Sequence, residues 1–176
     1  MPGLAGVTAT SSAPVLAGFS VRRADFADPR LGAFLGEHLA DMAATSPPES
    51  VHALDLDGLN RPTVRLWTAY DGDVLVATGG IAVVHRPGGD QEPGHEELKS
   101  MRTHTGYRGR GLARAMVRLL LEDAAARGVR RVSLETGTED YFAAARGLYA
   151  SEGFLPCEPF GAYVPDENSA FMTRRL

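Results

Sequence analysis

The chain has 176 residues, a length that suits one domain with or without a short tail. Apolar residues make up 44% and charged residues 23%, and the formal net charge is -4. This balance is typical of a globular protein and argues against nucleic acid as the main partner, because duplex binding requires a basic surface. The single cysteine, Cys157, excludes an internal disulfide and a cysteine-based metal site.

The N-terminal segment contains no Lys or Arg before Arg22, so it lacks the basic region of a secretory signal peptide. Its Gly, Ser, Thr, Ala and Pro content favours a flexible tail over residues 1–17, followed by a folded domain over residues 18–176. No apolar run reaches the ~18 residues that a membrane span needs. We therefore expect a cytoplasmic protein with no membrane partner.

The apolar pattern predicts the remaining elements in chain order. Strands are expected over 19–23, 63–70, 73–85, 96–103, 129–135, 154–163 and 170–175. Helices are expected over 29–42, 111–127 and 139–151, and residues 49–59 form either a short helix or an ordered loop. This order predicts an α+β fold with a mixed sheet. Regular alternation along the fourth strand places four residues on one face: Glu97, Lys99, Met101 and Thr103.

A glycine-rich turn between this strand and the long second helix carries the clearest chemical signal. Gly109 and Gly111 let the backbone approach an anion, and the free N–H groups of the helix N-terminus attract negative charge. Arg108 and Arg110 add full positive charges. The turn therefore predicts a pyrophosphate site, although taken alone it is also compatible with a connector that carries exposed arginines. It matches neither the P-loop nor the dinucleotide-binding pattern.

Three motifs resemble those of the GNAT acetyltransferase superfamily. Arg108-Gly109-Arg110-Gly111-Leu112-Ala113 fits the pattern [QR]-x-x-G-x-[GA], and Glu97 to Thr103 is similar to the strand that precedes it. Leu148 to Phe154 fits the later helix end L-Y-x-x-x-G-F. A narrower likeness to the bacterial YsnE-type acetyltransferases rests on four segments: 46–54, 99–103, 133–137 and 171–173.

The resemblance implies a single GNAT-type domain whose mostly antiparallel sheet is flanked by helices and parts near Thr103 and Glu135 to admit acetyl-CoA. The implied reaction is direct transfer of an acetyl group to a primary amine, within a ternary complex, and the acceptor is expected to be a small molecule. Two alternatives stay open: an enzyme for longer acyl-CoA donors or protein amines, and a CoA-binding regulatory protein without turnover. Dimerisation is common in the family, but no segment here specifies an interface.

The resemblance also implies roles for individual residues. Tyr149 is the expected acid that protonates the leaving thiolate, with a packed core tyrosine as the alternative. Glu97 is the expected base, with a solvent-facing carboxylate or a water chain as alternatives. The donor is expected to contact Met101, Arg102, Thr103 and the turn from Arg108 to Ala113. The acceptor is expected near Glu49, His52, Glu135 and Tyr163. Phe142 stands where many family members have an Asn that contacts the cofactor, and no metal site is predicted, because His38 and His52 lack a convergent third ligand.

Overall fold

The computed structural model describes residues 16 and 18–176. In this part of the chain the strands are β1 (Ser20–Arg23), β2 (Val64–Asp71), β3 (Val74–His85), β4 (Gln91–Thr103), β5 (Arg131–Gly137), β6 (Leu155–Pro156) and β7 (Ser169–Arg175). The α-helices are α1 (Pro29–Thr45), α2 (Leu56–Leu59), α3 (Leu112–Ala126) and α4 (Ala143–Ser151). None of these helices is long and apolar enough to cross a membrane.

The strands form one sheet in the order β1-β2-β3-β4-β5-β7-β6. Neighbouring strands are antiparallel except β4 and β5, which are parallel because α3 connects them as a crossover. This mixed, mostly antiparallel sheet with helices on both faces confirms the predicted α+β fold of a single domain.

Two apolar cores lie on opposite faces of the sheet. Along β2, Leu66 and Tyr70 pack into the core beside α1, whereas Trp67 and Ala69 pack into the core beside α3. α3 buries an apolar stripe whose members share one side of the helix: Leu112, Ala115, Met116, Leu119 and Leu120. Burial of this stripe fixes the orientation of α3 and therefore the position of its N-terminus.

The predicted strand over 154–163 is wrong for most of its length, because β6 contains only two residues. The chain leaves the sheet after Cys157. Pro159 has no backbone donor for a sheet, and Gly161 adopts a left-handed backbone (φ +59°). A Cβ at Gly161 would lie 2.8 Å from the carbonyl oxygen of His85, so only glycine fits there. The connection that results folds over one face of the sheet.

Smaller differences concern three element boundaries. β4 begins at Gln91 rather than at Glu96, because Gln91 pairs with His85 of β3. The predicted helix over 139–151 opens with a 3-10 turn, Asp140–Phe142, before α4 starts. In the predicted tail, Leu16 is 4% exposed and packs into the core beside α3. The other residues of that tail lie outside the described residues.

The sheet parts between β4 and β5. These strands pair only where His95–Glu97 lie beside Arg131–Ser133, so they diverge before the predicted positions. On β4 the register with β3 shifts opposite Gly79, where Ser100 takes a left-handed backbone (φ +50°). Gly79 is required there, because a Cβ would collide with Met116 and Met101. The shift is a β-bulge, which bends β4 away from β5.

The bulge also corrects the predicted alternation along β4. An extra residue opposite Gly79 moves the following side chains to the other face of the sheet. Met101 therefore packs against the core beside α3 rather than sharing a face with Glu97. Arg102 points towards α1, where it binds Asp41. Alternation alone could not predict this, because it assumes an unbroken register.

Candidate active site

A cleft of about 450 Å³ opens where β4 and β5 diverge. One wall is β4 from Leu98 to Thr103, and the opposite wall is β5 from Leu134 to Gly137. The remaining lining comes from α1, the segment after α1, the glycine-rich turn and α4: His38, Met42, Ser46, Ser50, Val51, His52, Ala53, Arg108, Ala113, Tyr141, Phe142, Ala144, Ala145, Leu148 and Tyr149. The fold therefore brings most of the predicted site residues to one cleft.

The glycine-rich turn ends at the first residue of α3. Gly109 (φ +77°) and Gly111 (φ +79°) both adopt left-handed backbone conformations, and Gly111 is the N-cap. Leu112 is 1% exposed and anchors the helix end in the core. Arg108 lines the cleft, and Arg110 lies 4.8 Å from the centre of the Tyr107 ring. Free N–H groups of a helix N-terminus beside two arginines can bind an anionic group such as a pyrophosphate.

The predicted donor segment on β4 is the wall of the cleft. Arg102 and Thr103 pair with Thr78 and Ala77 of β3, so one edge of β4 is satisfied. Beyond Glu97 the other edge, which faces β5, has no strand partner within the described residues. An unpaired strand edge presents alternating N–H and C=O groups that can pair with a ligand containing amides.

Tyr149 lies on α4 and lines the cleft. It is 7% exposed, and its ring packs edge-on against Phe154 with centroids 5.9 Å apart. Burial raises the pKa of the Tyr149 hydroxyl well above its ordinary value, so the group stays protonated at neutral pH. Phe142 and Ala145 line the same cleft. A protonated hydroxyl at this place can act as an acid.

Glu97 lies in a hydrogen-bonded triad with Lys99 and Tyr163. The Tyr163 hydroxyl donates to Glu97 Oε1 (2.6 Å) and accepts from Lys99 Nζ (2.6 Å), and Lys99 Nζ lies 2.8 Å from Glu97 Oε1. Burial, followed by the charge of Glu97, raises the pKa of Tyr163. Lys99 lines the cleft, but Glu97 and Tyr163 do not.

Glu135 is the carboxylate that faces the cleft from β5. Ser169 Oγ donates to its Oε1 (2.8 Å). Burial raises the pKa of Glu135, and the Ser169 hydrogen bond only partly opposes this effect. His52 also lines the cleft and packs edge-on against Tyr163, with centroids 5.1 Å apart. Glu49 is exposed on the turn Pro48–Ser50 and does not line the cleft.

Two residues that line the cleft, Lys99 and His38, were not predicted as site residues. Lys99 was not predicted as a site residue, although a lysine within a largely buried strand is a signal, because buried charges require partners. His38 lines the cleft from α1, and burial together with the charge of Arg102 lowers its pKa to about 4. His38 is therefore neutral near pH 7. No sequence signal placed it beside Arg102, because the contact joins α1 to β4.

The chain belongs to the acetyltransferase (GNAT) family, whose profile matches residues 33–154. It is 42% identical to the uncharacterized N-acetyltransferase YsnE of Bacillus subtilis (strain 168), over 81% of this chain and 89% of the relative. It is 39% identical to the uncharacterized N-acetyltransferase YedL of Escherichia coli (strain K12), over 90% of this chain and 95% of the relative. These matches confirm the resemblance to YsnE-type enzymes, and they identify the protein as an acetyltransferase.

A third relative is named IAA acetyltransferase, from Azospirillum brasilense, and is 35% identical over 81% of this chain and 86% of its own length. Among solved structures, an acyl-CoA N-acyltransferase from Klebsiella pneumoniae superposes with a TM-score of 0.73 and 25% identity, covering 91% of this chain and 99% of that one. A Bacillus subtilis acetyltransferase in complex with CoA has the same fold, with a TM-score of 0.60 and 14% identity, covering 89% and 97%. The GNAT family uses acetyl-CoA as its donor.

Proposed function

We propose that this protein transfers an acetyl group from acetyl-CoA directly to the primary amine of a small molecule, within a ternary complex. The observation that carries the proposal is the single cleft shared by three features. These are the unpaired edge of β4, the glycine-rich turn beside Arg108, and the buried hydroxyl-bearing residue Tyr149. Together they match the amides, the pyrophosphate and the leaving sulfur of one donor, and acetyl-CoA supplies the acetyl thioester.

The residues of the cleft divide the reaction between them. Backbone N–H groups between Met101 and Thr103 would stabilise the negative charge that develops on the acetyl oxygen. As the amine nitrogen bonds to the acetyl carbon and the carbon–sulfur bond breaks, Tyr149 gives its proton to the departing sulfur. Burial keeps the hydroxyl protonated near neutral pH, so its proton is available when the thiolate forms.

The proton of the amine requires a base, and the structure offers two carboxylates. Glu97 is held by Lys99 and Tyr163 and does not line the cleft. Glu135 does line it, and the raised pKa of Glu135 makes it a stronger base than an ordinary carboxylate. We assign direct proton removal to Glu135 and leave Glu97 as the group that orients Lys99 and Tyr163.

Isothermal titration of acetyl-CoA into the protein, with CoA and NAD as comparisons, tests the donor. We expect micromolar binding of acetyl-CoA and none of NAD. A panel of amines with thiol-release detection then tests transfer. The proposal fails if acetyl-CoA does not bind, or if it binds and no amine in the panel releases thiol.

The two carboxylates are separated by Glu135→Gln and Glu97→Gln, each measured as kcat/KM across pH. We expect Glu135→Gln to lose the acidic limb of the profile and about 10²–10⁴-fold of activity, as is usual for removal of a general base. Glu97→Gln is expected to keep the limb. The reverse pattern would return the role of base to Glu97.

A further inference from the structure

The side chain of Arg102 is the most deeply buried cation of the cleft, with only 7% of its surface exposed. It projects from β4 towards α1. Its Nη1 donates to Asp41 Oδ2 (2.6 Å), and its Nη2 donates to Glu37 Oε2 (3.1 Å). The ring of Phe34 lies 5.3 Å from its guanidinium carbon. The third nitrogen, Nε, is buried and has no hydrogen-bond partner among residues 16 and 18–176.

A buried donor without a partner is unfavourable, because the group loses water and gains nothing in return. Two other arginines of this chain use the same Nε and Nη2 edge fully. Arg65 donates from both nitrogens to Asp123, at 2.9 and 2.8 Å. Arg118 does the same to Glu152, at 2.9 and 3.0 Å. The Nε and Nη2 edge of Arg102 can thus bind both oxygens of a carboxylate, but only Nη2 has a partner.

Glu37 is the residue that contacts this edge, and it is held there only weakly. Its side chain is 68% exposed, and a single hydrogen bond holds it to Nη2. An exposed ion pair of this kind contributes little to stability, so a ligand can displace it readily. Asp41 on Nη1 would remain in place and keep the guanidinium oriented. The free edge therefore suits the carboxylate of a bound molecule.

Arg102 lines the same cleft as Glu135 and Tyr149. The other cation on this side of the cleft, Lys99, is already bound by Glu97 and Tyr163. An acceptor in this cleft thus meets a carboxylate that can receive its amine and a guanidinium edge that can receive an anion. We propose that the acceptor is an amino acid or a similar amine-bearing carboxylic acid, whose carboxylate binds Nε and Nη2 of Arg102 in place of Glu37. The inference rests on the proposed function and names the substrate class of the same site.

The test compares acceptors that differ only in the carboxylate. Leucine, phenylalanine and methionine are assayed by thiol release beside the amine that each gives on decarboxylation and beside its amide. We expect the amino acids to have the higher kcat/KM by about 10- to 100-fold, the worth of hydrogen bonds to a charged group. Arg102→Gln is expected to remove this preference, because it should lower kcat/KM for the amino acids more than for the amines and the amides.

Arg102→Gln leaves Asp41 without its partner and can therefore reduce folding, so a surface variant gives an independent test. Glu37→Ala frees the edge. It is expected to lower KM for the amino acids by about 2- to 5-fold, since an exposed ion pair is worth under ~1 kcal/mol. KM for the decarboxylated amines should not change. Glu122→Ala, which removes an exposed carboxylate of α3, is the matched control and should change neither.

The inference is overturned if the decarboxylated amines or the amides are used as well as the amino acids, or if Glu37→Ala leaves every KM unchanged. It is also overturned if the protein binds acetyl-CoA and no amino acid of the set releases thiol. Failure of the proposed function gives a different result: either acetyl-CoA does not bind, or it binds and none of the amines, with or without a carboxylate, releases thiol.

Discussion

Replacing Tyr149 by Phe removes one oxygen atom from the lining of the cleft. The ring remains, so its packing against Phe154 (5.9 Å between centroids) is kept. Burial is the cause of the raised pKa of the hydroxyl, and the hydroxyl has no hydrogen-bond partner within the described part of the chain. The substitution therefore tests the acid with little disturbance of the fold.

The expected effects on stability and on catalysis differ in size. Loss of a hydroxyl that has no protein partner should change the free energy of unfolding by less than ~1 kcal/mol. Loss of a positioned proton donor should lower kcat by about 10²–10⁴-fold. The Kd of acetyl-CoA should stay unchanged, because the hydroxyl is assigned to the departing sulfur and not to binding of the donor.

The assay is thiol release at saturating acetyl-CoA, with thermal denaturation and titration of acetyl-CoA on the same samples. Tyr70→Phe is the matched control, because that hydroxyl is also on a buried ring but donates to Asp28 (3.0 Å) in the other core. It should reduce stability slightly and leave kcat unaltered. A Tyr149→Phe enzyme with the kcat of the original would refute the assignment, and Tyr149 would then be a core residue.

Two further predictions concern pH and the glycine-rich turn. Burial raises the pKa of Glu135. The neutral side chain is therefore compatible with the fold, and the free energy of unfolding falls as pH rises through the raised pKa and the group ionises. Glu135→Gln should therefore raise Tm at about pH 8 and have little effect at about pH 4, and a Tm change of equal size at both would contradict this. Gly111→Ala should cost about 1 kcal/mol through its left-handed backbone and also weaken acetyl-CoA binding at least about tenfold. Gly128→Ala, with φ +81° at the opposite end of α3, should cost similar stability and leave binding intact, whereas equal Kd changes would refute the role of the turn.

Much of the donor half of the site could be predicted from the sequence because its signals are local. Gly109 and Gly111 stand beside Arg108 and a helix start within a few residues, and the amphipathic stripe of α3 specifies which way that helix faces. Tyr149 follows in the next helix at a spacing that the family shares. These features depend on backbone conformation and helical periodicity, which short segments encode.

The acceptor half of the site could not be predicted in the same way. The bulge on β4 lies opposite Gly79, where α3 packs too closely for a side chain, and it turns Met101 and Arg102 to faces that simple alternation assigns wrongly. Glu97 was expected to be the base, and the hydrogen bond that it accepts from Tyr163 of the connection after β6 could not be predicted from the sequence.

The sequence by itself determined the α+β class, the order of the main elements and the residues of the glycine-rich turn, because each depends on neighbours along the chain. The tertiary structure decided which carboxylate faces the cleft and which edge of Arg102 lacks a partner. Those properties depend on contacts such as Glu37 with Arg102 and Ser169 with Glu135. Contacts of this kind join residues that are far apart in the sequence. They form only when the sheet, the helices and the connection after β6 pack together.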